Sequence, residues 1–313
     1  MRKRALKTIY NLAKKNHDIV YVGSDVGAGT LQEFKTDMPR RFFMEGIAEA
    51  HVIGMAAGLA MSGKVPFVNN IATFLTRRCY DQIAIDICLG NNNVRLLANG
   101  GGLVYTDLGP THCATDDIAL MRALPNMTVI VPSDDEEVES AILASESNQG
   151  PIYIRLAREG SPRIPKDPQG FKIGKAHVLR EPREMLFIAT GVMVHKAMSV
   201  ADKLLSEGIQ AGVINVHTIK PLDHKTLAPH LESTPFIFTL EEHSVIGGLG
   251  SAVSEIIAQG TRHTNYTFKI IGIPDRFPDK YGMQDDSLDY YCLNEEGVFT
   301  FALKTFFESR IIK

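Results

Sequence analysis

The sequence lacks the features that direct a chain out of the cell, into a membrane or onto nucleic acid. Its four cysteines, Cys79, Cys88, Cys113 and Cys292, show no CxxC spacing, and a chain of 313 residues needs no disulfide staples. They read as reduced thiols, so the expected location is the cytoplasm. No apolar run reaches the ~18 residues of a membrane span. The basic start Met1-Arg2-Lys3-Arg4 leads into an amphipathic pattern (Leu6, Ile9, Tyr10, Leu12, Ala13) rather than a signal-type apolar segment. A net charge of -3 makes no case for nucleic acid or an anionic membrane surface. Asp116-Asp117 reads as a helix start and Asp285-Asp286 as part of a C-terminal loop, and neither reads as the oxygen-rich element a hard cation needs. No metal ligand is therefore assigned to this chain.

What is present is an α/β pattern. With 44% hydrophobic and 22% charged residues, the chain can bury one large core or, more in keeping with its length, two. Short Val/Ile-rich runs at 19–23, 65–69, 94–98, 128–131 and 152–156 alternate with helical patterns at 48–62, 74–89, 115–123 and 135–147. Continuous apolar strands alternating with helices predict a mainly parallel sheet covered on both faces. Ligands of such sheets collect at the carboxyl ends of the strands, where Asp25, Thr73 and His112 fall. Gly160, Pro162, Pro165, Pro168, Gly170, Gly174 and Pro182 then interrupt any period. A second set follows, with strands at 185–189, 211–216, 236–240 and 269–273 and helices at 194–206, 248–259 and 296–309. The prediction is two domains, 1–160 and 185–313, joined by a linker at 161–184 that ends in a short strand.

Two segments carry candidate chemistry. In Gly46-Ile47-Ala48-Glu49-Ala50-His51 a carboxylate stands at the mouth of a small-residue helix, where a charge is costly unless it has a task. The competing explanation for Glu49 is a first-turn carboxylate held by the helix dipole. In Gly109-Pro110-Thr111-His112, preceded by Gly100-Gly101-Gly102, a stiffened turn presents an imidazole at a loop tip. The glycines are read as allowing close backbone approach to a ligand. His112 is a candidate acid/base group, with a solvated or capping role as the alternative.

At this spacing and in this order, the segments resemble the pyrimidine-binding half of thiamine-diphosphate enzymes of the transketolase family. The resemblance covers essentially the whole chain. It extends to Thr73-Phe74-Leu75, Tyr80-Asp81-Gln82, Val131-Pro132-Ser133-Asp134, Lys220-Pro221-Leu222-Asp223, Glu241-Glu242-His243-Ser244 and Gly247-Gly248-Leu249-Gly250. The first and last motifs look especially like 1-deoxyxylulose-5-phosphate synthase, and the length resembles the C-terminal subunit of a split transketolase.

The resemblance implies roles, residue by residue. Glu49 matches the glutamate that bonds N1' of the cofactor pyrimidine, a contact needed before the thiazolium C2 proton can leave. Phe74 matches the aromatic residue stacked on that ring, Tyr80 a further cofactor contact, and Asp25 an acidic residue lining the cavity. An ordinary core Phe and a helix N-cap are the alternatives for Phe74 and Asp25. His112 matches the histidine that reaches the reacting oxygens of the sugar. Arg158 matches the arginine that clamps a terminal phosphate, against the alternative of a surface arginine at the linker edge. Arg2 matches a second anion-binding arginine, a place that Arg4 could equally fill.

Departures from the family pattern bear on the substrate. Leu108 precedes Gly109 where many transketolases carry an acidic residue for a donor hydroxyl, and the glycine run replaces a polar His or Arg. Arg77 and Arg78 add positive charge beside Phe74. Together these suggest an unusual ketose, phosphorylated or carrying another anionic end such as a sulfonate. With no diphosphate or Mg²⁺ motif here, the resemblance implies a companion N-terminal subunit, self-association and an α2β2 assembly, with thiamine diphosphate and Mg²⁺ shared between chains. The alternatives are the beta subunit of a 2-oxo acid dehydrogenase decarboxylase, a fragment of a deoxyxylulose-phosphate synthase and a non-catalytic pseudosubunit.

Overall fold

The computed structural model describes residues 1–24, 31–260 and 266–311, so Asp25 lies outside the described residues. The strands are β1 (Ile19–Gly23), β2 (Phe42–Met44), β3 (Val65–Ile71), β4 (Arg95–Asn99), β5 (Thr128–Ile130), β6 (Ile152–Leu156), β7 (His177–Arg180), β8 (Met185–Ala189), β9 (Ala211–Asn215), β10 (Thr218–Lys220), β11 (Phe236–Ser244) and β12 (Thr267–Ile273). They form one seven-stranded sheet, in the order β10-β5-β6-β4-β3-β1-β2, and one five-stranded sheet, β12-β11-β8-β9-β7. Every residue of β1, β4, β6, β8 and β9 is buried, as expected of mainly apolar strands with helices on both faces, and the burial extends to Arg95, Asn99, Arg155 and Asn215. The architecture is thus α/β with two mainly parallel sheets flanked by helices.

Two strands depart from the parallel arrangement. β7 runs antiparallel to β9, and β10 runs antiparallel to β5 and so extends the first sheet from the second half of the chain. The Lys220 ammonium then reaches the Arg122 and Leu124 carbonyls at the end of the helix Asp117–Ala123. Three residues are too few to show a period, which is why β10 escapes the sequence pattern. The three-residue strand Phe42–Met44 escapes it for the same reason, and the seven-residue helix Gln284–Tyr290 because it carries a single large aliphatic residue, Leu288. The helix His224–Ser233 is obscured by its internal Pro229, although Asp223 caps its start.

The helix expected over 74–89 is broken. It runs from Ala72 to Arg77, turns at Arg78 and Cys79, and resumes from Tyr80 as a short helix that passes into a π-helical stretch, Ile83–Leu89. The cause is tertiary: Arg77 is forked onto Asp116 while Arg78 reaches Glu49. A continuous apolar cluster runs from Val22, Val52 and Ile87 through Val129 and Tyr153 to Leu186, Ile214 and Val253, so the two sheets bury a common layer. Among the described residues no helix is long and apolar enough to cross a membrane.

Candidate active site

Glu49 opens the helix Glu49–Met61, whose N-cap, Ala48, offers no side-chain acceptor. Its carboxylate is only 5% exposed. Arg78 Nη1 donates to Glu49 Oε2 at 3.1 Å, and the guanidinium carbon lies 3.9 Å from the centre of the Phe74 ring. Phe74 in turn meets the His112 imidazole edge to face, with ring centres 4.9 Å apart. Three residues separated by up to 63 positions in the sequence are thus brought together, Glu49 and Phe74 through Arg78 and His112 through Phe74. Tyr80 is half-buried and packs on the neighbouring core.

The carboxyl ends of β3 and β4 lead to this cluster, and they carry polar atoms without an answer. Asn70 Nδ2, Thr73 Oγ1 and Asn99 Oδ1 are buried with no hydrogen-bond partner among the described residues. Buried polar groups are rarely left this way, and several at one sheet edge suit a site that closes around a polar ligand.

The loop bearing His112 is braced from both sides. Thr111 Oγ1 pairs with His112 Nδ1 at 3.0 Å, so Nε2 is the nitrogen that can serve a ligand. Arg77 forks Asp116 at 2.8–3.1 Å and donates to the Cys113 carbonyl at 3.2 Å. Gly102 and Ala114 exchange both backbone bonds at 3.0 Å. The glycine run serves packing rather than ligand approach, which corrects the sequence expectation. A Cβ on Gly100, Gly101 or Gly102 would stand 2.0 Å from Tyr105, 2.5 Å from Arg155 or 2.6 Å from Glu242, and Gly100 and Gly102 also have positive φ.

A buried network ties this loop to the second sheet. Arg155 donates to both Asp117 oxygens at 2.8 and 3.1 Å, to the Ala114 carbonyl at 2.8 Å and to the Glu242 carbonyl at 3.0 Å. Tyr153 donates to Asp117 at 2.6 Å. Burial alone would raise the Asp117 carboxyl, yet the Arg155 charge holds it below the ordinary carboxylate value. Glu242 accepts from Leu103 N and Gln284 Nε2, both at 2.8 Å, and burial pushes its carboxyl up against the pull of Arg155. Glu241 accepts from the first amides of the helix Leu249–Gln259 at 2.7 and 2.8 Å, and burial raises it to about 7. His243 donates from Nδ1 to the Ser244 carbonyl and accepts from Ala119 N, and burial lowers its pKa from the ordinary value. The Glu241-Glu242-His243 run is therefore a clamp between the two halves of the chain. Sequence reasoning found the motif but gave no role to it or to Arg155.

The arginines considered for anion binding separate clearly. Arg4 points outward to Glu139 at 3.2 Å. Arg2 is half-buried, its Nε has no partner among the described residues, and its charge acts on Tyr21 and Tyr105. Arg158 is exposed beyond β6 and lines a cleft of about 470 Å³ with His195, Lys196 and Gln284, a lining that includes none of Glu49, Phe74 and His112. Arg77 and Arg78, read in the sequence as extra positive charge beside Phe74, are each paired with a carboxylate. Leu108 is 52% exposed in a 3₁₀ turn beside the His112 loop.

Residues 1–162 match the family model described as the transketolase pyrimidine-binding domain, and residues 174–298 that of the transketolase C-terminal domain. The chain belongs to the transketolase family. It is 35% identical over 293 residues to a 6-deoxy-6-sulfo-D-fructose transketolase subunit of Clostridium sp. (strain MSTE9), covering 90% of each chain. It is 35% identical over 305 residues to one of the subunits of the apulose-4-phosphate transketolase of Phocaeicola vulgatus, covering 97% of this chain and 96% of that one. Among solved structures, a split-gene transketolase described as an inactive beta4 tetramer superposes with a TM-score of 0.87 at 35% identity, with 97% of both chains covered.

Transketolase family membership implies thiamine diphosphate, and the residues present fit its pyrimidine. A buried carboxylate can bond a ring nitrogen, an aromatic face stands beside it, and unanswered amide and hydroxyl groups line the strand ends. Among the described residues no group of three or more His, Cys, Asp or Glu side chains could hold a metal ion.

Proposed function

We propose that this chain is the pyrimidine-binding and C-terminal subunit of a split transketolase. It moves a two-carbon ketol unit from a ketose phosphate or sulfonate to an aldose in the cytoplasm. Residues 1–160 are the pyrimidine-binding domain, 161–184 the linker and 185–313 the C-terminal domain. A companion chain supplies the diphosphate site and Mg²⁺, in an α2β2 assembly in which this chain also contacts its own copy. The observation that carries the reading is the convergence of Glu49, Phe74 and His112 at one sheet edge. Relatives at 35% identity that are named as transketolase subunits support it.

When bound, the cofactor supplies the carbon nucleophile that carries the two-carbon unit. Glu49 shares a proton with the pyrimidine ring from a buried position, and Phe74 and Tyr80 wall the ring with apolar surface, with Asp25 assigned to the same cavity. His112 Nε2 exchanges protons with the sugar oxygens and stabilises negative charge that develops there. Arg158 and Arg2 take the terminal anion, and a guanidinium fork suits phosphate and sulfonate alike. One of the relatives is named for a sulfonated ketose and the other for a sugar phosphate. Leu108 cannot bond a donor hydroxyl, so the preferred donor differs from xylulose 5-phosphate.

The test is two-carbon transfer by the chain mixed with its companion, over a panel of donors that includes 6-deoxy-6-sulfofructose and ordinary ketose phosphates. Transfer only in the mixture is expected. Full activity of this chain alone with thiamine diphosphate and Mg²⁺ would contradict the proposal, and xylulose 5-phosphate as the best donor would refute its substrate part.

A further inference from the structure

Arg78 occupies the two groups of this chain to which the foregoing reading assigns the cofactor pyrimidine. Its guanidinium carbon stands 3.9 Å from the Phe74 ring centre while Nη1 bonds Glu49 Oε2 at 3.1 Å. A guanidinium is planar, cationic and rimmed with N–H donors, so it stacks on an aromatic face and donates to a carboxylate. A protonated aminopyrimidine makes the same two contacts with the same kinds of group. On that face of Phe74 and at that Glu49 oxygen the two compete.

The contrast with the adjacent arginine shows which of the two can move. Arg77 is 29% exposed, forked onto Asp116 and bonded to the Cys113 carbonyl. Arg78 is 48% exposed, makes one ion-pair bond and sits where the helix Ala72–Arg77 breaks. We propose that Arg78 is a displaceable gate on the cofactor half-site, resting on the transketolase reading above: in the free subunit it stands in for the pyrimidine between Phe74 and Glu49, and it swings into solvent as the cofactor loads. The gate has a use before assembly, since without it the 5% exposed Glu49 carboxylate would be buried with no ion-pair partner among the described residues. Its cost is a lower apparent cofactor affinity, reduced by the fraction of molecules in which the gate is open.

The experiment compares wild type, Arg78→Ala, Arg78→Lys and Glu49→Gln, each in complex with the companion chain. Equilibrium dialysis gives the Kd for thiamine diphosphate with Mg²⁺, rapid mixing gives the association rate, and melting temperatures are taken for the free chain and the loaded complex. A ring contact plus a part-exposed ion pair predicts that Arg78→Ala binds about three- to thirtyfold tighter and loads faster. It should also melt lower as a free chain and recover that deficit in the loaded complex. Arg78→Lys, which keeps the charge but loses the planar stack, should fall between wild type and Arg78→Ala, and it carries the test if Arg78→Ala does not fold. Unchanged or weaker binding in these arginine variants, with the complex intact by sedimentation, would overturn the gate. If Glu49→Gln exchanges the C2 proton of the bound cofactor at the wild-type rate, the assignment of the site itself fails; if Glu49→Gln slows that exchange while the arginine variants bind the cofactor as wild type does, only the gate fails.

Discussion

Two arginine–carboxylate pairs flank the His112 loop, and they are built for different ends. Arg155 and Asp117 are 6% and 0% exposed, and the guanidinium is committed to four acceptors, two of them carbonyls on separate parts of the fold. Arg78 and Glu49 are 48% and 5% exposed and share one bond. A buried charge whose partner is locked is architecture, whereas a buried charge whose partner can leave is ready for a ligand. The glutamates of the 241–242 run belong to the first class: both are buried, Glu241 accepts from two backbone amides, and Glu242 Oε1 accepts from Leu103 N and Gln284.

Removing one partner of the locked pair should have the largest effect. Arg155→Ala leaves Asp117 buried without its cation and should cost about 3–5 kcal/mol in urea unfolding. A cost under ~1 kcal/mol would mean that this network is not what holds the loop to the second sheet. His217 extends the rule to a buried titratable group with no locked charge partner. It stacks on Phe171 at 4.1 Å and bonds the Thr218 hydroxyl, and burial lowers its pKa to about 4. Below the ordinary value of 6.5 the unfolded imidazole takes a proton that the folded one refuses, so stability is lost as pH falls from 6.5 towards 4, by an amount on the order of 3 kcal/mol. A His217→Gln chain should show a flatter stability profile over that window, and an unchanged slope would remove His217 as its source.

The removable pair should respond in chemistry rather than stability. Glu49→Gln should change unfolding free energy by less than ~1 kcal/mol, yet slow hydrogen–deuterium exchange at the cofactor C2 by about a hundredfold or more in the assembled enzyme. Normal exchange in that variant would sink the role of Glu49. The smallest effect is expected at the exposed Arg158, whose replacement by Ala should raise KM for an anionic acceptor about tenfold with kcat kept and melting unchanged. Equal KM values for charged and uncharged acceptors would move the anion site elsewhere.

The legible part of the molecule was whatever one local segment could announce. The central strands showed as apolar runs, and Glu49, Phe74 and His112 each stood in a recognisable motif. What stayed hidden depends on partners far along the chain. Arg78 lies 29 residues from Glu49, Arg155 lies 38 from Asp117 and Glu242 lies 139 from Leu103, and no periodicity reports such pairs. The glycine run was misread because open space for a ligand and a wall of Tyr105, Arg155 and Glu242 ask for the same residue. The helix break at Arg78 was invisible because two consecutive arginines are pulled to different carboxylates.

The central claim is that this chain holds only half of a cofactor site. Calorimetric titration of thiamine diphosphate with Mg²⁺ into the chain alone, into the companion alone and into their mixture tests it most directly. The account predicts a saturating binding signal in the mixture only; tight, metal-dependent binding to this chain by itself would contradict it.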